Sequence, residues 1–406
     1  MNVLILEPST AGLQILPTAY AMGLNVFVLS ANQDDRVIPE EYHKYIFKKI
    51  QVDTNNLSAI SEATLTLHKE FGISAAIPGF EIYVALTAQL AKLIQVPGVS
   101  IETGEALRDK HKMRNALRQK SVRTPKYILL DSHDKINNAV EYIGFPCIIK
   151  PVDQSGSMHV SKINNLAELS AAYHAMCNDP WTEMGKGIGS VALIEEYING
   201  EEFSVEGYVD NQYTQIASIT KKFLTPEPLF IEMGHIVPAD ITLEKQKIIK
   251  QYVKEVIAAL NINLGVFHAE LRIDEEGPVL MEIAGRLAGC RICDLIFLAK
   301  GVSMYEAMIK THLGLPIEKI SDTILQYAGM CYFDLKGKNV FQEINGVENL
   351  KNIPGFYDFK VFHKPGEYVP PLTTFQGRVA SCVFTAPTYA EVMQRLEYAK
   401  STISFG

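Results

Sequence analysis

The strongest constraint on the fold is the alternation of strand-like and helix-like segments through the first hundred residues. Short apolar runs such as NVLILEP and NVFVLSA are separated by longer segments with helical periodicity, among them LSAISEATLTLHKEFG. Strands that alternate with helices in this way predict a parallel sheet covered by helices. The first strand-to-helix turn reads EPSTAG and not G-x-G-x-x-G, so no dinucleotide site is predicted there.

Length and charge narrow the class of protein. A chain of 406 residues is too long for a single core and predicts two or three domains. Its hydrophobic fraction of 47% and charged fraction of 21% are typical of a globular protein. The net charge of -8 and the absence of a basic run argue against nucleic acid or an anionic membrane as a partner. Small molecules are the expected partners.

The expected location is the cytoplasm. The chain opens directly with a strand-like run, so we expect no cleaved signal peptide, and no long apolar stretch predicts a membrane span. Six cysteines in a chain of this length do not predict a disulfide framework. Cys290 and Cys293 form one C-x-x-C, which we interpret as incidental because no second pair or nearby histidine accompanies it.

Residues 267–290, FHAELRIDEEGPVLMEIAGRLAGC, predict a β-hairpin with two acidic residues on one face. Both arms alternate apolar and polar residues, and a turn centred on residues 274–277 sets Glu270 opposite Glu282. In this pattern Leu280 and Glu282 share a face. Opposed like charges destabilise a sheet, so a divalent cation such as Mg²⁺ is one interpretation and two solvated glutamates are the other.

Two lysines are candidates for contacts with phosphate. Lys150 ends the apolar strand FPCIIK and precedes a loop of small residues, DQSGS, whose N–H groups could point inward. Lys110 lies on a helix rich in basic residues. A solvated lysine is the alternative at both positions.

The segment LIEEYINGEE predicts a strand, a break at Asn199 and Gly200, and a second strand. A carboxylate such as Glu202 could accept hydrogen bonds from a ribose while the backbone before the break meets an adenine edge. The alternation through Glu202, Ser204 and Glu206 equally fits a solvated strand face.

Arg286 follows the hairpin among small residues that leave room for a ligand, including Gly289. Arginine is the cation best matched to carboxylate or phosphate, although an ion pair with Glu282 is the structural alternative. Residues 222–240 carry three prolines and predict a long loop at the mouth of a cleft, with His235 as a candidate for substrate binding or proton transfer.

Taken in order along the chain, these features resemble the ATP-grasp superfamily, and within it the L-amino acid ligases. The matching motifs are Glu-x-x-His at Glu232 and His235, His-x-Glu at His268 and Glu270, and Glu-x-Ala-x-Arg at Glu282, Ala284 and Arg286. Many members of the superfamily have Asn where this chain has Ala284. The amino acid ligases share the alanine, which favours that branch.

The resemblance implies a role for each candidate residue. Lys110 and Lys150 would hold the phosphates of ATP, Glu270 and Glu282 would hold Mg²⁺ or Mn²⁺, and Arg286 would stabilise an acyl-phosphate. His268 joins Arg286 as a catalytic candidate. The loop over the phosphates would be formed by Gln154, Ser155, Gly156 and Ser157. Adenine would contact Glu195, Glu196, Tyr197 and Ile198, and the ribose would contact Glu202. The amino acid substrates would contact Glu232, His235, Arg286 and Gly289.

The implied fold is an α/β ATP-grasp fold with an N-terminal Rossmann-like parallel-sheet domain and a C-terminal β-rich subdomain. We expect the boundaries to fall at 1–98, 99–320 and 321–406, with a central lid subdomain at about 121–197. The implied activity is ATP-dependent amide-bond formation between an amino acid carboxylate and an amine, in a possible homodimer. A carboxylase or purine-pathway ligase is the alternative enzyme, and a non-catalytic ATP-binding sensor is the alternative outside catalysis.

Overall fold

The computed structural model describes residues 1–211 and 213–406 and has a mixed α/β architecture. None of the helices in these ranges combines the length and the apolarity needed to cross a membrane. The strands form sheets of two kinds. A parallel sheet lies at the N-terminus, and antiparallel sheets follow it.

The N-terminal sheet is buried on both faces. Val3 and Ile5 of its first strand pack into one core, whereas Leu4 and Leu6 pack into another, which explains the unbroken apolar run. The strand order is β3-β2-β1-β4, as predicted for alternating strands and helices. The elements are β1 (Asn2–Leu6), α1 (Ile15–Ala21), β2 (Asn25–Ser30), α2 (Glu40–His43), β3 (Lys48–Gln51), α3 (Leu57–Phe71), β4 (Ile73–Pro78) and α4 (Val84–Leu93).

Two helices lead from this unit to a small antiparallel sheet with the order β5-β10-β6-β7. Leu130, Ile149 and Ile194 of this sheet share a core with Leu169 and Tyr173 of α8. The elements are α5 (Ile101–Ala106), α6 (Lys110–Gln119), β5 (Tyr127–Leu130), α7 (Ile136–Ile143), β6 (Cys147–Pro151), β7 (Ser161–Ile163), α8 (Leu166–Cys177), β8 (Thr182–Glu183), β9 (Lys186–Gly187) and β10 (Ala192–Glu196).

A larger antiparallel sheet runs through the rest of the chain with the order β15-β14-β11-β12-β13-β16-β19-β18. Because β13 pairs with β16, this sheet crosses the domain boundary predicted at residue 320. The predicted boundaries themselves stay a prediction. The elements are β11 (Glu201–Asp210), β12 (Tyr213–Leu224), β13 (Glu232–Val237), α9 (Leu243–Ala259), β14 (Gly265–Asp274), β15 (Gly277–Ala284), α10 (Ile292–Lys300), α11 (Met304–Leu313), β16 (Tyr327–Phe333), β17 (Ile344–Asn345), α12 (Val347–Lys351), β18 (Phe356–Val361), β19 (Ala380–Ala386), α13 (Tyr389–Thr402) and β20 (Ser404–Phe405).

The long loop predicted at residues 222–240 is wrong for about half of its length, because 222–224 and 232–237 are in strands. Strand β12 extends to Leu224 and β13 occupies Glu232–Val237, so His235 lies inside a sheet. Prolines misled the prediction because Pro226 and Pro228 fall in the short connection between the strands and Pro238 falls just after β13. The predicted break at Asn199 and Gly200 is confirmed. A Cβ at Gly200 would lie 2.2 Å from the carbonyl oxygen of Ile273.

The predicted hairpin is confirmed as β14 and β15, with Glu270 directly opposite Glu282. A register shift follows this pair, because Leu271 faces Leu280 and Met281 becomes the extra residue of a bulge. The predicted shared face of Leu280 and Glu282 is therefore wrong. Leu280 packs in the core, whereas Glu282 lines a cavity.

Candidate functional site

A cavity of about 850 Å³ lies among the N-terminal unit, the small antiparallel sheet and the hairpin. Of the residues predicted for the site, Tyr197 and His235 are not among those that line it. The others line it together, although they come from segments far apart in the sequence. They are Lys110, Lys150, Gln154, Ser155, Gly156, Ser157, Glu195, Glu196, Ile198, Glu202, Glu232, His268, Glu270, Glu282, Arg286 and Gly289.

The two lysines approach this cavity from different elements. Lys110 is the first residue of α6, which begins there because the Asp109 side chain caps the helix by accepting from the His111 and Lys112 amides. The Nζ of Lys110 lies 2.9 Å from Oε1 of Glu282 and donates to the Gln154 carbonyl at 2.6 Å. The helix start therefore holds one ammonium group between the small-residue loop and the hairpin.

Lys150 is buried near the end of β6 and forms an ion pair with Glu195 at 2.6 Å. Burial lowers the pKa of Lys150 to about 8, even though Glu195 opposes the shift. Burial alone would raise the pKa of Glu195, but Arg114 and Lys150 outweigh it and lower that pKa to about 2. Arg114 also donates to the bulged Met281 carbonyl at 2.8 Å, which ties this pair to the hairpin.

The loop after β6 folds over the two lysines. Gly156 and Ser157 have positive φ angles of 64° and 59°, a conformation that favours glycine at the first of these positions. Ser155 donates to Glu183 at 2.9 Å, and Gln154 is 7% exposed. The backbone of this loop thus lies along the cavity beside the ammonium groups.

The segment predicted to bind adenine lies at the end of β10. The side chain of Glu195 is already paired with Arg114 and Lys150, and its backbone lies in a strand that is paired on both sides. The side chain of Glu196 accepts from the Lys126 amide at 3.1 Å. The hydroxyl of Tyr197 donates to Glu227, away from the cavity lining. The carbonyl of Ile198 is also engaged, because it accepts a hydrogen bond from Nη1 of Arg272 at 3.0 Å. The Glu196 amide donates to the Lys126 carbonyl at 2.9 Å, so the backbone after Glu196 is the part of this segment left for a purine edge.

The acidic pair of the hairpin is partly exposed toward the cavity. The side chains of Glu270 and Glu282 are 25% and 24% exposed, and each has a cation on Oε1: Lys222 at 2.8 Å for Glu270 and Lys110 at 2.9 Å for Glu282. His268 also contacts Oε1 of Glu270 at 3.2 Å. Burial opposes ionisation of Glu270, but Lys222 and His268 outweigh it and hold its pKa well below the usual range.

These two carboxylates fit a divalent metal ion. They offer hard oxygen ligands from directly opposed positions of one hairpin, and carboxylate oxygens are what Mg²⁺ prefers. The contacts given above for the described residues all use Oε1, so Oε2 of Glu270 and Glu282 remains as a ligand. The donor set therefore suits the ion that the sequence predicts here.

Lys222 is a buried cation that the sequence did not single out. Its Nζ lies 2.9 Å from Glu202, 2.7 Å from Glu232 and 2.8 Å from Glu270. Burial opposes its charge, but the three carboxylates outweigh burial and hold its pKa well above the usual range. Lys222 thus joins the predicted ribose, substrate and metal residues into one charged cluster.

Next to this cluster, Glu206 and Glu270 raise the pKa of the buried His268 to about 9 against the effect of burial.

Arg286 is fixed by an acidic residue from the N-terminal unit. Its Nε donates to Oε2 of Glu81 at 2.7 Å, and Arg108 donates to Oε1 of the same carboxylate at 2.9 Å. The ion pair with Glu282 that was considered from the sequence is not formed, because Glu282 pairs with Lys110. Glu81 was missed because its partners lie far along the chain.

Glu232, His235 and Cys290 offer ligand atoms that lie within 4.8 Å of one another. Both ring nitrogens of His235 are buried without a hydrogen-bond partner in the described ranges, and burial lowers its pKa to about 4. Burial raises the pKa of the Cys290 thiol to about 11, which disfavours the thiolate that binds metals. Cations lie beside both candidate sites, but the hairpin offers two carboxylates and this cluster only one, so the hairpin fits Mg²⁺ better.

Comparison with known families agrees with this geometry. Residues 143–294 match the ATP-grasp domain, and residues 333–406 match the L-amino acid ligase C-terminal domain 2. The chain carries an ATP-grasp domain. The first of these segments includes Lys150 and the acidic hairpin, and the second includes Arg378.

Individual relatives of this chain are distant. An uncharacterized protein of Sinorhizobium fredii is 24% identical over 99% of this chain and 82% of its own length. An alanine–anticapsin ligase of Bacillus subtilis is 26% identical, but the match spans 62% of this chain and only 56% of that ligase. The structure of an L-amino acid ligase from Bacillus licheniformis has a TM-score of 0.84 at 21% identity, covering 100% of this chain and 98% of that one, and shows the shared fold.

Several residues of the candidate site carry little or no signal in the sequence. Arg114 carries a weak signal, because it lies one turn after Lys110 on the same basic helix. Glu81 and Lys222 carry none, since Glu81 begins a short 3-10 helix, Lys222 lies in a strand, and each meets its partners only in the folded chain. Arg378 lies outside the motifs that support the resemblance.

Proposed function

We propose that this ATP-grasp ligase joins an amino acid carboxylate to an amine through an acyl-phosphate, with release of ADP and phosphate. The product would be a dipeptide or a related amide. The observation that carries the proposal is the meeting of Lys110, Lys150, the hairpin carboxylates and Arg286 around one cavity. The C-terminal domain match supports the amino acid branch over a carboxylase or a purine-pathway ligase.

In the proposed first step, an oxygen of the substrate carboxylate attacks the γ-phosphorus of ATP and ADP leaves. Phosphoryl transfer needs positioning and charge neutralisation more than covalent help from the protein. Lys110 and Lys150 would hold the phosphates under the 154–157 loop, and Glu202 would accept from the ribose. Mg²⁺ or Mn²⁺ bound by Glu270 and Glu282 would supply positive charge to the triphosphate.

In the second step, the amine nitrogen attacks the acyl carbon, the C–N bond forms and phosphate leaves. Arg286 is positioned by Glu81 to stabilise the negative charge that develops at the acyl-phosphate. The attacking amine must lose a proton, which Glu232 or His235 would accept. Glu232 is the better placed of the two because it lines the cavity. His235 is not among the lining residues, and burial lowers its pKa to about 4, which makes the ring a weak proton acceptor.

The decisive experiment measures phosphate release and product mass with ATP, Mg²⁺ and an array of amino acid pairs. Phosphate release that requires two amino acids, with a product lighter than their sum by one water, would support the proposal. Release stimulated by bicarbonate would assign a carboxylase instead. ATP binding without release under any pair would assign a sensor. Chromatography of the same preparation would test the predicted homodimer.

A further inference from the structure

Arg378 lies on the cavity wall that the C-terminal part of the chain contributes. It comes just before β19, and its guanidinium carbon stacks 4.2 Å from the centre of the Tyr332 ring. The side chain is 10% exposed and lines the cavity. Stacking on an aromatic ring fixes the plane of a guanidinium and leaves its edge for ligands.

The other arginines of the cavity are paired with carboxylates. Arg286 reaches Glu81 at 2.7 Å, Arg272 reaches Glu202 at 3.1 Å, and Arg291 reaches Asp358 at 2.6 Å. A buried arginine of this kind needs such a partner because its charge has lost most of its water.

Arg378 differs from these arginines in what it contacts. Its nearest carboxylate oxygen in the described part of the chain is Oε2 of Glu232, 3.9 Å from Nη2. Nη1 meets the Cys290 sulfur at 3.5 Å, and Nε is buried without a hydrogen-bond partner among the described residues. A sulfur is a weak acceptor, so the hydrogen-bonding capacity of this guanidinium is largely unused.

Glu232 does not supply the missing acceptor. Its Oε1 is held by Lys222 at 2.7 Å, and its Oε2 accepts from the Cys290 thiol at 3.0 Å. Ser381, on β19, also lines the cavity and has a buried hydroxyl without a partner in the described ranges. Arg378 and Ser381 therefore place unused hydrogen-bond donors on this wall, next to the carboxylate of Glu232. Donors beside a carboxylate are complementary to the two opposite charges of an amino acid zwitterion.

We propose that Arg378 binds a substrate carboxylate that the reaction leaves free. A carboxylate matches the planar edge of a guanidinium with two parallel hydrogen bonds. The carboxylate comes from one of two sources: the α-carboxylate of the attacking amino acid, or an acidic side chain on the activated one. This inference rests on the proposed ligase function and names the substrate chemistry of its cavity.

The test compares each acid with its neutral amide. In one arm, attacking amino acids are compared with their α-amides; in the other, aspartate and glutamate are compared with asparagine and glutamine as the activated substrate. The wild-type enzyme should prefer the acid in one arm by about 10- to 100-fold in kcat/KM, the range for a hydrogen-bonded charge. That preference should fall to about onefold in Arg378→Gln and persist in part in Arg378→Lys, whereas a purely structural role would lower both rates equally.

The other results of this experiment also support or overturn the role proposed for Arg378. No preference for the acid in either arm, or an unchanged preference in Arg378→Gln, would overturn the inference while leaving the ligase function intact. If Arg378→Gln does not fold, the wild-type ratio and the Arg378→Lys ratio decide. If the wild-type enzyme releases no phosphate with any amino acid, the proposed function and this inference fail together. A stoichiometric zinc ion that is lost in Cys290→Ala would assign the wall to a metal and overturn the inference.

Discussion

Arg286 and Glu81, which are 205 positions apart in the chain, form a buried ion pair in which the guanidinium donates from Nε at 2.7 Å. Glu81 is 2% exposed, and Arg108 occupies its second oxygen. Burial alone would raise the pKa of Glu81, yet the two arginines outweigh it and hold the pKa well below its usual value. The N-terminal unit thus supplies the counter-charge that orients the arginine of the ligase site.

Replacing Glu81 by Gln should lower both stability and activity. The change leaves two arginines near an uncharged amide, and breaking a buried pair in this way costs about 3–5 kcal/mol. Urea unfolding would measure the loss, and kcat should fall as Arg286 loses its orientation. Glu62→Gln, on the exposed face of α3, is the matched control and should stay within about 0.5 kcal/mol of the wild type. Equal stability of the two variants would contradict the role given to Glu81.

Replacing Glu282 by Gln should remove metal-dependent turnover while the fold persists. The variant loses a carboxylate ligand and the ion-pair partner of Lys110, but it also relieves the repulsion with Glu270, so the protein should still fold cooperatively. A loss of about a hundredfold in kcat is expected at saturating Mg²⁺, in line with removal of one charge-stabilising group. Glu275→Gln in the exposed turn of the same hairpin should retain activity. Full turnover in Glu282→Gln would refute the metal assignment.

Lys222 and Lys221 are neighbours in the sequence with different surroundings, and they form a sharp comparison. Lys222→Met should cost about 3–5 kcal/mol, because three carboxylates lose their shared counter-charge. Lys221→Met removes a pair with Glu201, whose side chain is 58% exposed, and should cost no more than about 1 kcal/mol. Denaturant unfolding of both variants gives the difference directly. Similar losses of unfolding free energy in the two variants would contradict the stabilising role given to the buried charges around Lys222.

His235 should make the stability of the protein depend on mildly acidic pH. Its pKa falls from 6.5 to about 4 on folding because burial disfavours the charged ring. The unfolded chain therefore binds the proton first, so stability present above pH 6.5 is lost as the pH falls toward 4. The full loss would be about 3 kcal/mol, since one pKa unit corresponds to about 1.4 kcal/mol.

The measurement is urea unfolding of the wild type and His235→Gln between about pH 7 and pH 5. The variant should show a shallower decline. His312 is also buried with a pKa of about 4, so His312→Gln should flatten the curve by a similar amount without affecting substrate binding. An unchanged pH dependence in His235→Gln would mean that this ring is not neutral in the folded protein.

Local patterns were sufficient for the features that depend on neighbouring residues. The N-terminal alternation predicted the parallel sheet, and the polar turn set the register that places Glu270 opposite Glu282. The bulge at Met281 could not be predicted, because it depends on how the hairpin packs and on the Arg114 contact to the Met281 carbonyl.

Ion pairs between distant segments were beyond local patterns. The prolines of residues 222–240 predict a loop at Lys222, whereas the residue lies in a paired strand. The local sequence therefore does not indicate its carboxylate partners. Arg378 joins the cavity only because β16 and β19 extend the sheet beside β13. Long-range strand pairing fixes these neighbours, and a single sequence does not show it.

That shared sheet also limits how such enzymes can be recombined. A chimaera that exchanges the C-terminal segment between two relatives must graft a β16 whose backbone fits the receiving β13, because the two strands hydrogen-bond along Gly234–Val237 and Ala328–Cys331. Truncation after residue 320 would bare the edge of β13, an open template for aggregation. An exchange of the C-terminal segment would therefore change the cavity wall and the pairing at the edge of β13 together.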